Sequence, residues 1–350
     1  MSNGLPTIDI GRTIGANHRP YVIAELSANH LGDLDRAIAI IDAAADAGCD
    51  AIKLQTFTPS SMTLDSTEGD FHIPDGPWQG RSLWDLYEEA HTPWEWHERL
   101  FEHAAVRDLI AFSTPFDEEA VDRLHYLGAP AYKIASFELV DLELIRAAAR
   151  TNKPLIMSTG MASDSEVDEA IETARAAGNG GVALLHCISG YPAPVAQTNL
   201  RRMEALARYG TVIGISDHSA GSVVPIAAVS RGAAIIEKHL TLKRSDGGPD
   251  AGFSLEPHEM TEVVRCCELA WSALGDGSSK RPRAEDGSRR FRRSLYAAAD
   301  IAEGQAFDRT NVRAIRPGFG LAPRELPTVL GKHAKVRIAR GTPLAWELIG

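Results

Sequence analysis

The stretch Val212–Leu240, "VIGISDHSAGSVVPIAAVSRGAAIIEKHL", decides the fold. It holds two short apolar runs, "VIGIS" (212–216) and "AAIIEKH" (233–239). Each ends in charged or polar residues and an imidazole, His218 or His239. A short apolar run bounded by turn signals reads as a strand buried on both faces. Two such runs separated by a helical segment read as one unit of a parallel sheet.

The same unit recurs along the chain. Further runs are "YVIAEL" (21–26), "AIKLQ" (51–55), "IAFST" (110–114), "AYKIAS" (131–136), "PLIMST" (154–159) and "VALLHC" (182–187), which makes eight in all. Between them, stretches such as 33–48 and 163–178 repeat apolar residues at helical spacing and close on a glycine. Ser163 with Glu166 reads as a capping box. Eight strand–helix units predict an α/β chain, a (β/α)8 TIM barrel. An open doubly wound sheet would carry a glycine-rich phosphate loop after its first strand. Here "SANHLGDLD" follows, with a single glycine. Residues 56–95 interrupt the regular spacing and are expected to form a lid on the catalytic face.

The 350 residues exceed one barrel of about 250 residues. The expected division is a catalytic barrel over 1–275, a polar linker over 276–290 and a small β-rich domain over 291–350. In the last, "AAADIAEGQAF" (297–307) and "AKVRIARGTPL" (334–344) read as two related strand–turn pieces. A formal net charge of −11 argues against a nucleic-acid binder. No apolar stretch reaches membrane-spanning length, and the N-terminal residues lack the pattern of a signal peptide. Four cysteines without CxxC spacing fit free thiols and a cytoplasmic location. One of Cys266 and Cys267 is expected to pack inward.

Every predicted strand carries polar side chains at its C-terminal tip, where barrel enzymes assemble their sites. Strands seven and eight are neighbours about 5 Å apart, so His218 and His239 could share one divalent first-row ion acting as a Lewis acid. Asp217 and Glu237 are expected behind them as partners of the imidazoles. Lys53 and Lys133 lie inside apolar runs, where an unpaired ammonium is costly. With Ser136, Ser158, Thr159 and Ser216 they suggest an anion site for a phosphate and a carboxylate. Glu25 and Glu138 either move a proton or bind a sugar hydroxyl.

Together these residues resemble the sialic acid (nonulosonate) synthase family. The resemblance spans almost the whole chain through "AELSANH" (24–30), "KLQTF" (53–57), "STPFD" (113–117), "YKIAS" (132–136), "STGM" (158–161), "LLHC" (184–187), "YPAP" (191–194), "SDHS" (216–219), "EKHLTL" (237–242) and "GGPD" (247–250). "IRPGFGLAP" (315–323) looks like that family's antifreeze-like (SAF) domain. The resemblance implies condensation of phosphoenolpyruvate with an amino-sugar aldose, with release of phosphate. It implies Mn2+ or a similar ion on His218 and His239. Phosphoenolpyruvate contacts would come from Lys53, Thr114, Lys133, Ser136, Ser158, Ser189 and Ser216. Sugar contacts would come from Glu25, Gln55, Tyr191, Asp250 and Arg316, and Glu138 would handle protons. It also implies a domain-swapped homodimer in which Arg316 reaches the partner's site. "AELSANH" rather than an "AEIG"-type start, "SLWDLYEEAHTPWEWH" (82–97), "RSDGGPDAGFSLEP" (244–257) and "FRRSLY" (291–296) point to the pseudaminic acid branch. The N-acetylneuraminate and legionaminate branches would differ in the acceptor. Two departures stand out: Leu31 where the family carries a polar residue, and Ser189 where N-acetylneuraminate enzymes carry asparagine. A pyruvate-using metal aldolase would release no phosphate, and a sugar-binding protein on a retired barrel would not turn over.

Overall fold

Eight parallel strands close on themselves in the computed structural model, which describes residues 5–350. A short antiparallel hairpin, β1 (Ile8–Asp9) and β2 (Thr13–Ile14), precedes them. The barrel strands are β3 (Tyr21–Glu25), β4 (Ala51–Thr56), β5 (Ile110–Pro115), β6 (Tyr132–Ile134), β7 (Leu155–Ser158), β8 (Val182–Cys187), β9 (Val212–Ser216) and β10 (Ile235–His239). They pair in chain order, and β10 closes the ring onto β3. Each matches one of the eight expected runs to within two or three residues at either end. Helices α1 (Leu34–Asp46), α4 (His97–Val106), α5 (Glu118–Tyr126), α6 (Leu142–Arg150), α7 (Asp164–Ala177), α8 (Arg202–Leu206), α9 (Val223–Val229) and α10 (Pro257–Leu274) follow the strands, with α2 (Pro59–Met62) and α3 (Leu83–Ala90) inside the 56–95 insertion.

Alternation along each strand sorts the core into two layers. Tyr21, Ile23, Ala51, Phe112, Ile156, Leu185 and Ile235 fill the barrel interior, while Val22, Ala24, Ile52, Leu54 and Ile236 face the helices. Each such buried aliphatic side chain contributes about 1.5–3 kcal/mol. The hairpin β1–β2 went unanticipated because two-residue strands carry no alternation. Its Ile8, Ile10 and Ile14 join the interior cluster at the end where the strands begin, and Tyr21 Oη donates to the Ile10 carbonyl at 3.1 Å.

The caps are partly as expected. Ser163 and Glu166 form the capping box of α7. Gly48 follows α1 at φ 83°, the left-handed conformation glycine adopts freely. Gly178 does not: it is extended, at φ −160°, and is small because a Cβ there would meet the Ala149 carbonyl oxygen at 1.9 Å. Cys267 is fully buried and Cys266 half-buried, and all four cysteines are free thiols.

The chain divides after Gly275. The second unit contains the antiparallel pair β11 (Ser294–Ala297) and β12 (Val312–Ile315) and a short helix α11 (Leu326–Val329). Leu295, Ile301, Phe307, Val312, Ile338 and Leu344 form its core. The two related pieces do not form continuous strands. They meet at one isolated bridge, Ile301 with Ile338, with a second, Ala306 with His333, one residue ahead of the later piece; each piece turns at a left-handed glycine, Gly304 or Gly341. Residues 276–291 are exposed, with turns of 3-10 helix over Arg283–Phe291. No helix among the described residues is long and apolar enough to cross a membrane.

Candidate active site

Strand register builds the floor of the site. In β10, β3 and β4 it sets His239 beside Glu25 and Glu25 beside Lys53; in β4 and β5 it sets Gln55 beside Thr114. Paired residues of a sheet share a face, so these side chains converge inside the barrel. They open into a cavity of about 440 Å3 at the C-terminal end of the strands. Glu25, Gln55, Lys53, Thr114, Lys133, Ser136, Glu138, Ser158, Tyr191, Ser216, His218, His239 and Asp250 all line it. The 56–95 insertion supplies much of the remaining wall, including Met62, Trp78, Leu86 and Tyr87.

Two buried lysines dominate the floor. Lys53 Nζ lies 2.5 Å from Glu25 Oε2 and donates to Thr114 Oγ1 at 3.0 Å. Lys133 Nζ donates to Ser158 Oγ at 2.7 Å. Glu237 Oε1 stands between them, 3.9 Å from Lys53 and 3.8 Å from Lys133, and accepts from Ser216 Oγ at 2.9 Å. Its Oε2 is buried without a hydrogen-bond partner among the described residues. Burial lowers both ammonium groups, but for Lys53 the Glu237 and Glu25 carboxylates outweigh it, and its pKa is raised. For Lys133 they do not, and its pKa is lowered. Burial raises the Glu237 carboxyl, yet Lys133 and Lys53 together hold it below the ordinary range.

Glu237 and Asp217 do not partner the imidazoles, contrary to the expectation from sequence. Glu237 serves the two lysines, and Asp217 faces the opposite way. Asp217 Oδ2 accepts from Lys238 Nζ at 2.8 Å in the layer outside the barrel, since Lys238 alternates with Glu237 and His239 along β10. The partner of His218 is instead a backbone group: its Nδ1 lies 3.0 Å from the Ile188 carbonyl.

The other carboxyls differ in setting. Glu138 Oε2 is buried in the cavity wall without a partner among the described residues, and burial, only partly offset by a backbone hydrogen bond and by Lys133, raises its pKa to about 7. Burial also raises Glu25, with Lys53 pulling it back. Asp250 is raised by burial too, against a hydrogen bond from Ser27.

His218 and His239 face one another with ring centroids 5.3 Å apart. Burial and the neighbouring His218 push His239 well below the usual imidazole pKa, so it is neutral at pH 7. Its Nδ1 has no partner among the described residues. The Ile188 carbonyl takes the Nδ1 proton of His218 and leaves Nε2 as its donor atom. A neutral imidazole is the form that binds a divalent ion; His239 is neutral, whereas burial lowers His218 but is outweighed by Cys187, whose Sγ lies 3.9 Å from Nδ1, and by the Ile188 carbonyl, so its pKa is raised. No cluster of three or more His, Cys, Asp or Glu ligands exists among the described residues, so the pair would be the protein's whole contribution. Tyr191 and Phe253 wall the histidines, 4.5 Å from His218 and 5.0 Å from His239 between ring centroids, respectively.

At the rim, Gln55 Nε2 donates to Glu25 Oε1 and to Ser27 Oγ, both at 3.0 Å. Ser27 Oγ donates in turn to Asp250 Oδ2. Trp78 Nε1 donates to the Pro249 carbonyl at 2.9 Å, so the insertion clamps the loop that carries Asp250. Leu31 packs on the same loop, where a Cβ on Gly248 would meet its Cδ2 at 2.3 Å.

Three expected residues are not in the cavity lining: Thr159, whose hydroxyl donates to the Leu185 carbonyl at 3.2 Å, Ser189 and Arg316. Ser189 sits beside it, packed with Ser136 on Gly160; a Cβ at Gly160 would meet the Ser189 and Ser136 hydroxyls at 2.4 and 2.8 Å. Arg316 follows β12 in the second unit and is exposed. The sequence reasoning missed Ser27, Cys187, Trp78 and Phe253. The polar tip of β8 signals Cys187; nothing in the composition of the insertion singles out Trp78.

The comparisons with known proteins agree with this geometry. The NeuB family model matches residues 40–279, more than half of the chain, and the SAF domain model matches 292–349. The chain belongs to the NeuB family. It is 42% identical to the pseudaminic acid synthase of Helicobacter pylori, over 93% of this chain and 96% of that one. It is 34% identical to the N,N'-diacetyllegionaminic acid synthase of Legionella pneumophila, over 96% of each. Among solved structures, an N-acetylneuraminic acid synthetase from Leptospira borgpetersenii superposes with a TM-score of 0.74 at 32% identity, covering 82% of this chain and 96% of that one. The barrel and its C-terminal SAF domain are therefore those of a NeuB-family protein.

Proposed function

We propose that this NeuB-family chain is a pseudaminic acid synthase, condensing phosphoenolpyruvate with 2,4-diacetamido-2,4,6-trideoxy-L-altrose and water to give pseudaminic acid and phosphate. The observation that carries the reading is the floor: two buried ammonium groups sharing Glu237, under a wall of hydroxyls and below two facing imidazoles, of which His239 has an unpartnered Nδ1 among the described residues. The resemblance to the Helicobacter pylori enzyme supports the choice of acceptor.

Lys53 and Lys133, with Thr114, Ser158, Ser136 and Ser216, hold the phosphate and carboxylate of phosphoenolpyruvate and fix the direction of its C3. C3 bonds to the aldehyde carbon of the open-chain sugar, and the aldehyde oxygen takes up a proton. Glu138, protonated near neutral pH, supplies it from Oε2. Water adds at C2, and phosphate leaves from the tetrahedral intermediate to give the 2-keto acid. His218 and His239 would hold a divalent ion, Mn2+ in this reading, which when bound polarises the aldehyde. Gln55, Glu25, Tyr191 and Asp250 contact the sugar. The working unit is a domain-swapped homodimer in which Arg316 of one copy reaches the other's site, in the cytoplasm.

The test is phosphate release with phosphoenolpyruvate, Mn2+ and three acceptors in parallel: the diacetamido trideoxy-altrose, the legionaminate precursor and N-acetylmannosamine. Release with the altrose is expected. Preference for another acceptor overturns the branch, and no release with any overturns the reaction.

A further inference from the structure

Among the described residues of the cavity lining, Ser27 is the only non-glycine with a left-handed backbone, at φ 48°. Glycine adopts that conformation freely; a residue with a Cβ does so at a cost. Costly backbone persists where the surroundings hold it, and it clusters at functional positions. Ser27 is also almost wholly buried, at 1% exposure. Its hydroxyl has one proton, and that proton goes to Asp250 Oδ2. Its lone pair accepts from Gln55 Nε2 at 3.0 Å.

These two bonds set the polarity of the rim. The Gln55 amide nitrogen is engaged by Ser27 and Glu25, which leaves the amide oxygen for a ligand. Asp250 Oδ2 is engaged by Ser27 and by the Ala28 amide at 3.4 Å, which leaves Oδ1. The rim thus presents two acceptor oxygens held in fixed orientation. Acceptors recognise donors: acetamido N–H groups and hydroxyls. The lysine floor, by contrast, presents donors for anions.

We infer that Ser27 is a specificity-determining positioning residue, which uses a left-handed backbone to lock Gln55 and Asp250 as a pair of acceptor oxygens for the N–H and O–H groups of the sugar. The inference rests on the reading of the acceptor as an amino sugar. It assigns Ser27 to the sugar half of the site and not to the phosphoenolpyruvate half.

The experiment compares wild type, Ser27→Gly and Ser27→Ala in steady-state kinetics with the diacetamido altrose and with N-acetylmannosamine, alongside thermal melting. Ser27→Gly removes the hydroxyl and relieves the backbone; Ser27→Ala removes the hydroxyl and keeps the backbone cost. Both variants should raise KM for the diacetamido acceptor about tenfold, the size expected for losing hydrogen-bonded orientation of a charged group. KM for phosphoenolpyruvate should stay within about twofold, and the preference for the diacetamido acceptor should narrow. Ser27→Ala should melt below Ser27→Gly. A lower melting temperature with unchanged acceptor KM and unchanged acceptor preference would make Ser27 merely structural and overturn the inference alone. A wild-type protein that releases phosphate with neither acceptor overturns the functional reading, and this inference with it.

Discussion

Lys133 and Glu237 stand on opposite walls of the barrel, on β6 and β10, four strands apart around an eight-strand ring, and their charged ends come within 3.8 Å across its interior. Lys53 approaches the same carboxylate oxygen from β4. One carboxylate thus links two buried ammonium groups; Lys53 has a second partner in Glu25, 2.5 Å away, and Glu237 is the carboxylate within 4 Å of Lys133.

Glu237→Gln tests that arrangement. Removing one partner of a buried ion pair leaves uncompensated charge and costs about 3–5 kcal/mol. The variant should melt several degrees lower. Phosphoenolpyruvate should recover more of the lost melting temperature in the variant than it adds to wild type, because its negative charges replace the missing carboxylate. Equal ligand-induced shifts in the two proteins would remove Glu237 from the anion site.

Glu138 gives a pH prediction. Burial raises its pKa to about 7, so its acid form is lost as pH climbs through neutrality, and kcat/KM should fall on that alkaline limb. Glu138→Gln should lower kcat at least about a hundredfold, the range of one general-acid contribution, with little change in phosphoenolpyruvate KM. The stability sign follows from the same shift. Between the ordinary carboxyl value of 4.5 and about 7, the folded chain keeps a proton that the unfolded chain has released. Stability from this group therefore declines as pH rises across the window. Glu138→Gln should flatten that decline, as read by melting at pH 5 and pH 8.

Much of this site was legible because charge inside an apolar run is conspicuous. Lys53, Lys133, Glu237 and His239 each interrupt a β-type run, and alternation sends them inward with Ile235 or Ala51. What alternation cannot supply is the partner across the ring. It placed Glu237 beside the histidines, whereas the barrel's closure brings it to Lys133. The hairpin β1–β2 escaped because its strands are too short to show a period. Ser27 escaped because a serine just past a strand reads as a helix cap; only its backbone dihedral marks it as unusual. Trp78 reaches the site through one hydrogen bond to a loop far along the chain, a relation that has no local signature.

The histidine pair predicts a metal stoichiometry. The wild-type chain should bind one Mn2+ per copy by titration calorimetry, and a chelator should abolish turnover until Mn2+ is restored. His239→Ala should lose the calorimetric signal; its melting temperature should also fall, since it removes a buried ring packed between His218 and Phe253. Undiminished Mn2+ binding by that variant would place the ion elsewhere.

Lys238 and Asp217 predict a stability effect that reaches the site only indirectly. Lys238 is fully buried outside the barrel and donates to Asp217 Oδ2 at 2.8 Å and to the Ser219 carbonyl. Asp217 also accepts from the Ser219 amide at 2.9 Å and its hydroxyl at 3.0 Å. These bonds tie β10 to the two residues that flank His218. Asp217→Asn keeps the shape and strands the ammonium, so it should cost about 3–5 kcal/mol, read as a reduced urea midpoint with an unchanged slope. The double variant Asp217→Leu with Lys238→Met removes both charges and should recover much of that loss, because a buried pair contributes less to stability than its half-broken form takes away. If the backbone at 217–219 relaxes in the double variant, Mn2+ affinity should weaken even where stability returns, since His218 is held from both sides by this pair. Full recovery of both stability and Mn2+ affinity would show that the ion pair has no part in positioning His218.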